Sequence, residues 1–433
     1  MNSLKALVLF ILVIATAPIT KAFEIQEVTS PNGVKAWLVE EHAIPILSLS
    51  FSFDGAMALE DRGKQGTSAM LASILDEGAG DMNSQQFKAA ILKAASSIHY
   101  SATSDSMSGY LNTLTDNRSE AARLLKLTLL QPAFKSDELN RVKTNALRSL
   151  QQSNVDPTSI AFYTWAEKAF PTHIYGANAT GTEASVAAIT ADDLRALKAK
   201  IFNRSTLKVV AVGDIDAETL GKILDDVFSE LPNTPVTIPT KNVEVAKGPI
   251  DITIPFDNPQ TVINFGFPGI NGDTRESWAA SLLAEALGGG ANFSRLNQEI
   301  REKNGLTYSV GMYSQNYPYA AFLFGSMSTA NATAKQALQK LRGTLNDVAA
   351  NGINAEELRK VKSYKKGSFP LRFTDNASIA SELLSAYTSG EKASYIADYA
   401  SKIDAVTLDD IKKVAATLLR PENLIVVQVG KPE

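Results

Sequence analysis

Cysteine is absent from all 433 residues. That excludes disulfides, thiolate metal sites and cysteine nucleophiles. Histidine is nearly absent as well. His42, His99 and His173 are far apart and show no metal-ligand spacing, so each is read as a surface or strand histidine with an ordinary hydrogen bond. No basic run suggests nucleic acid. Beyond the first residues, no apolar stretch approaches the ~20 residues that span a bilayer. No serine elbow or His-centred base marks an independent hydrolase.

The N-terminus reads as a signal peptide over residues 1–22. Lys5 supplies the basic start, residues 7–17 the apolar stretch, and Thr20-Lys21-Ala22 the cleavage site before Phe23. An exported chain follows, with the periplasm of a Gram-negative bacterium as the expected location. Cleavage takes away Lys5 and Lys21 and moves the formal net charge from −4 to −6.

The rest of the chain is written twice. Residues 190–213 (TADDLRALKAKIFNRSTLKVVAVG) align without gaps on residues 407–430 (TLDDIKKVAATLLRPENLIVVQVG), with nine of 24 positions identical. ELNRVKT at 138–144 answers ELRKVKS at 357–363, and Asp156 with Ser159-Ile160-Ala161 answers Asp375 with Ser378-Ile379-Ala380. MLASIL at 70–75 answers LLAEAL at 282–287. A unit of about 200 residues is a domain rather than a solenoid module. The expected division is 23–231 for an N-terminal α+β domain, 232–249 for a Pro- and Thr-rich linker, and 250–433 for a C-terminal α+β domain. Alternation at 34–40 and 45–53, followed by helical stretches, predicts in each half an antiparallel-dominated sheet covered by helices on one face.

The stretch LGGGANFSRLNQEIREKNGLTYSV (287–310) carries the clearest candidate chemistry. A glycine-rich turn at Gly288, Gly289, Gly290 and Asn292 leads into an amphipathic helix bearing Arg301. Gly305 ends that helix, and a strand carrying Tyr308 is expected to follow. The glycines lack the Gly-Lys-Ser/Thr ending of a phosphate loop. Tyr313, Tyr317 and Tyr319 either line a peptide-binding surface or pack in the core or rim. Asp76-Glu77 reads as a solvated helix end before Gly78. By residue type alone, Arg301 also suits a helix C-terminus and Tyr308 a sheet.

The duplicated halves, the glycine-rich turn and SRLNQEIREKNGLTYSV resemble the pitrilysin/insulinase superfamily of zinc peptidases, specifically its two-subunit branch related to the mitochondrial processing peptidase. Catalytic members carry His-x-x-Glu-His on a first-half helix, with the histidines on zinc and the glutamate as general base. Here that helix reads GTSAMLASILDEG. Ala69 and Ser73 stand at the histidine positions, Ala72 at the glutamate, and Ser149 at the further glutamate ligand. The resemblance implies a non-catalytic subunit that binds no cofactor itself, with zinc on a homologous His-x-x-Glu-His partner in a heterodimer or a dimer of heterodimers. It implies peptide or unfolded-protein substrates, Gly288, Gly289, Gly290 and Asn292 as substrate contacts, and Arg301 and Tyr308 directed at the carbonyl oxyanion. An exposed first-half strand edge would hold extended peptide. The alternative is a peptide-binding or scaffold pseudo-peptidase with no part in hydrolysis.

Overall fold

A computed structural model of the chain describes residues 24–290 and 293–433. The expected signal peptide and Asn292 therefore lie outside the described residues. None of the helices described is long and apolar enough to cross a membrane.

Six strands form the first sheet: β1 (Gln26–Thr29), β2 (Lys35–Glu40), β3 (Ile46–Asp54), β4 (Ser96–Ala102), β5 (Ser106–Leu114) and β6 (Lys208–Gly213). Five form the second: β7 (Ile250–Pro255), β8 (Gln260–Pro268), β9 (Val310–Tyr317), β10 (Ala320–Ala330) and β11 (Ile425–Gly430). Their spatial orders are β1-β2-β6-β3-β5-β4 and β7-β11-β8-β10-β9. Dropping β1, the two orders superimpose strand for strand. In both, one parallel pair (β2 with β6, β7 with β11) sits in an otherwise antiparallel sheet. The α+β fold of two similar halves is thus present, and residues 232–249 between them contain neither helix nor strand.

The helix boundaries follow from local chemistry. Thr190 and Thr407 each close a capping box, with Asp193 and Asp410, at the start of Ala191–Ile201 and Leu408–Leu418. Asp156 accepts the N–H of Ser159 and opens Pro157–Ala169, and Asp375 accepts that of Ser378 and opens Asn376–Thr388. Lys143 bonds the carbonyls of Ala187 and Ile189, and Lys362 likewise bonds those of Asp404 and Val406. The repeat therefore extends to individual tertiary contacts.

Each sheet packs one face on its own half's helices. Leu47, Leu49, Phe51 and Phe53 of β3 enter the first-half core, and Ile263, Phe265 and Phe267 of β8 enter the second. The opposite faces each accept a helix from the other half. Asn376–Thr388 lies on β3 and β6, where Tyr387 stacks on Trp37 at 4.4 Å and Asn376 Nδ2 donates to the Ile46 carbonyl at 3.2 Å. Pro157–Ala169 lies on β8 and β11 and seats Trp165 against Phe322 and Phe324. Gly266 makes this approach possible, because a Cβ there would stand 2.3 Å from the Trp165 ring. Ser48, Ser50 and Ser52, which alternation would leave to solvent, are buried on β3. The reciprocal exchange joins both halves into one packed body.

Candidate functional site

The helix Thr67–Ile74 enters through Gly66, whose φ of 93° is left-handed. N–H groups at its start are capped by a side chain from the preceding turn: Glu60 accepts from Gly66 at 3.1 Å and Ser68 at 2.7 Å. Burial pushes the Glu60 carboxyl up, against the lowering effect of those bonds. Ala69 and Ser73 lie one turn apart, and the Ser73 hydroxyl donates to the Ala69 carbonyl at 2.9 Å. Ala72 faces the core.

Facing them is the helix Ser136–Asn154, on which Arg141, Asn145 and Ser149 repeat every four residues along one side. Between the two helices lies a cleft of about 320 Å³ lined by Ala69, Ser73, Arg141, Asn145 and Ser149, among others. Three of the four positions matched to catalytic residues thus converge on one cleft, with Ala72 behind the wall. None of the four offers an imidazole or carboxylate, so the site does not fit zinc. Among the described residues, no group of three or more His, Asp or Glu is placed to hold a metal ion.

Asp76-Glu77 is not a solvated helix end. The helix stops at Ile74, and the following turn folds Glu77 inward, leaving its side chain 11% exposed. Glu77 accepts from Lys88 at 2.8 Å and from the Ser84 hydroxyl at 2.5 Å, and pairs with Arg141. Burial would raise its carboxyl, but Lys88, Ser84 and Arg141 outweigh it and hold the group below the ordinary range. Arg141 and Glu77 escape sequence reasoning because they are 64 residues apart in the chain. The one available signal for Arg141 is its four-residue spacing to Asn145 and Ser149.

Duplication places a second version of this cleft in the other half. Glu285 stands for Ser73, Tyr364 for Asn145 and Lys365 for Ala146. There Glu285 and Lys365 are 13% and 17% exposed and 3.8 Å apart, while Tyr364 is 39% exposed. Burial lowers the Lys365 ammonium.

The segment after the glycine turn keeps most of its expected form. Leu296 and Ile300 are fully buried, while Arg301 faces solvent on a wide, π-type turn spanning Asn297–Glu302. Gly305, at φ 61°, reverses the chain, donating its N–H to the Arg301 carbonyl at 2.8 Å. Tyr308 does not lie on the strand, which begins two residues later at Val310. The reason is local. Thr307 Oγ1 sits 2.7 Å from the carbonyls of Ser309 and Ser328, which holds the chain in a bend before pairing with β10 begins. From that bend Tyr308 projects almost freely, 87% exposed, and the Arg301 guanidinium lies 5.6 Å from its ring centroid. Neither residue lines the 320 Å³ cleft.

Of the candidate glycines, Gly288 has a packing role: a Cβ would stand 2.3 Å from the Met312 backbone nitrogen. Gly289 lies over the Glu285 carboxylate, and a Cβ on Gly290 would meet the Tyr364 hydroxyl at 3.8 Å, an ordinary contact. Tyr317 packs against Tyr175 at 4.9 Å and Tyr319 against His173, whereas Tyr313 is half exposed. His173 Nε2 lies 2.9 Å from Thr240 Oγ1, His42 Nδ1 2.7 Å from Asp214, and His99 packs on Tyr110.

Two matched α+β halves thus enclose, in the first, a cleft without metal ligands at Ala69, Ser73 and Ser149. Comparison with known proteins agrees. The family described as Peptidase M16 inactive domain matches residues 188–364. A Helicobacter pylori protein named a non-peptidase homolog, YmxG, is 28% identical over 348 residues, covering 80% of each chain. An uncharacterized zinc protease of Streptomyces coelicolor is 24% identical over 406 residues, 91% of this chain and 87% of that one. The crystal structure of a peptidase M16 inactive domain from Pseudomonas fluorescens shares the fold, with a TM-score of 0.86 at 24% identity over 94% of this chain and 97% of that one. The chain is thus similar to M16, or pitrilysin/insulinase-type, proteins described as inactive or non-peptidase, and the family match falls on residues 188–364.

Proposed function

We propose that the chain is the non-catalytic partner subunit of a heteromeric zinc metallopeptidase, exported to the periplasm. It binds peptide substrate and supplies Arg301 and Tyr308 to the carbonyl oxygen at a zinc site on the other subunit. The observation that carries this reading is the contrast between the two halves. The metal positions hold only alanine and serine, yet Arg301 and Tyr308 are held together at the surface, with the phenol free to meet another molecule. A neutral phenol donor and a permanently charged guanidinium suit a developing oxyanion. The free edge of β4 offers unpaired backbone groups to an extended peptide.

One observation favours a second reading, a peptide-binding or scaffold protein with no part in hydrolysis. Arg301 and Tyr308 already satisfy each other by stacking, an arrangement that needs no substrate. Mixing separates the two. The chain alone should show no peptidase activity. With a homologous His-x-x-Glu-His subunit, activity should appear and should fall for Arg301→Ala and Tyr308→Phe. Complex formation without activity favours the scaffold.

A further inference from the structure

The two versions of the inter-helix cleft differ in what fills them. In the second half, the largely buried Glu285 and Lys365 stand 3.8 Å apart at the positions of Ser73 and Ala146. In the first half, Ser73, Asn145 and Ala146 line an open cleft of about 320 Å³, in which Glu77 is the one carboxylate among the lining residues. Part of the lining, beside Ala69, Met70, Val142 and Ala146, is a row of hydrogen-bonding groups. Arg141, Asn145 and Ser149 run along one face of the helix Ser136–Asn154, spanning about 12 Å. About four residues of extended peptide have that length.

The row ends in a cation with donors to spare. Arg141 is 46% exposed and pairs with Glu77 through one terminal nitrogen, while Glu77 is also held by Lys88 and Ser84. A guanidinium carries five N–H donors in a planar fork, a shape that matches a carboxylate. Glu77 already shows that a carboxylate fits against this corner. Asn145 and Ser149 line the same cleft, four and eight residues further along the helix.

We infer that the vacated cleft is a carboxylate-anchored peptide site, with Arg141 taking the acid group and Asn145 and Ser149 contacting the chain beside it. The acid group is either a peptide C-terminus or an Asp or Glu side chain. This deepens the peptide-binding part of the proposed function and rests on it, but it requires no partner subunit.

Isothermal titration of the full chain with three acetylated tetrapeptides tests the inference: Ala-Ala-Ala-Ala as the free acid, the same peptide as the amide, and Ala-Ala-Asp-Ala as the amide. At least one acidic peptide should bind at least ten-fold more tightly than the neutral amide. Which one binds identifies the source of the carboxylate. Arg141→Gln should abolish the preference. Ser149→Trp, at an exposed position that does not bear on folding, should fill the cleft and weaken binding at least ten-fold. Equal binding of all three peptides, no binding of either acid, or unchanged binding by Ser149→Trp would overturn the inference. Because the titration uses the chain alone, its failure is distinct from a failure of partner activation.

Discussion

The Arg301 guanidinium lies over the face of the Tyr308 ring, 5.6 Å from its centroid, seven residues away in sequence and across a glycine turn. Exposed pairs of this kind contribute about 0.5–1 kcal/mol. Arg301→Ala and Tyr308→Phe should therefore shift chemical denaturation by no more than about that amount. In a reconstituted peptidase each should lower kcat about 10²–10³-fold, the usual effect of removing one oxyanion donor. Stability and activity measured on the same variants separate a surface stack from a site component.

The cleft can be asked whether its geometry still suits a metal. Ala69 and Ser73 are one helical turn apart and Ser149 faces them. The combined variant Ala69→His, Ser73→His and Ser149→Glu should bind zinc in a calorimetric titration, because three ligands then converge. The unmodified chain is the control. A variant that folds normally but takes up no zinc would show that the three positions do not meet.

Trp165 is the most consequential side chain of the exchange between halves. It is 1% exposed and packs on Phe322, Phe324 and Gly266 of the opposite half's sheet. Trp165→Ala should cost about 3–5 kcal/mol. Because each half covers the other, unfolding should remain a single transition. Two separate transitions in calorimetry would contradict the reciprocal packing.

Glu77 sets an acid limit. Burial acts to raise its folded carboxyl, but Lys88, Ser84 and Arg141 together outweigh it and lower the group, so the unfolded chain binds the proton more readily. The resulting stability is fully present above the ordinary carboxylate value of 4.5 and is lost as pH falls through the lower folded value. Glu77→Gln should flatten this part of the stability profile, measured by denaturation on both sides of that value. An unchanged slope would remove Glu77 as its source.

Much of this molecule is legible in the sequence, for identifiable reasons. The duplication survives in the Thr-x-Asp-Asp caps and the Val-x-Gly strand ends, and these are local signals. The convergence of Ala69 and Ser73 on one side of a helix is legible because helical spacing is fixed. Tyr308 falls short of its expected strand because the hydroxyl of Thr307, bound to a carbonyl on β10, delays the pairing. Glu77 reads as solvated because its partners Lys88 and Arg141 lie 11 and 64 residues away. The exchanged helices leave no local signal either. Ser48, Ser50 and Ser52 look like a solvent face until another half's helix covers them.

The most direct measurement is peptidase activity of the chain mixed with a homologous subunit that retains His-x-x-Glu-His, compared with each alone and with Tyr308→Phe in the mixture. The account predicts activity only in the mixture, reduced about 10²-fold or more by Tyr308→Phe. Full activity of the mixture with Tyr308→Phe, or equal activity of the zinc subunit without this chain, would contradict it.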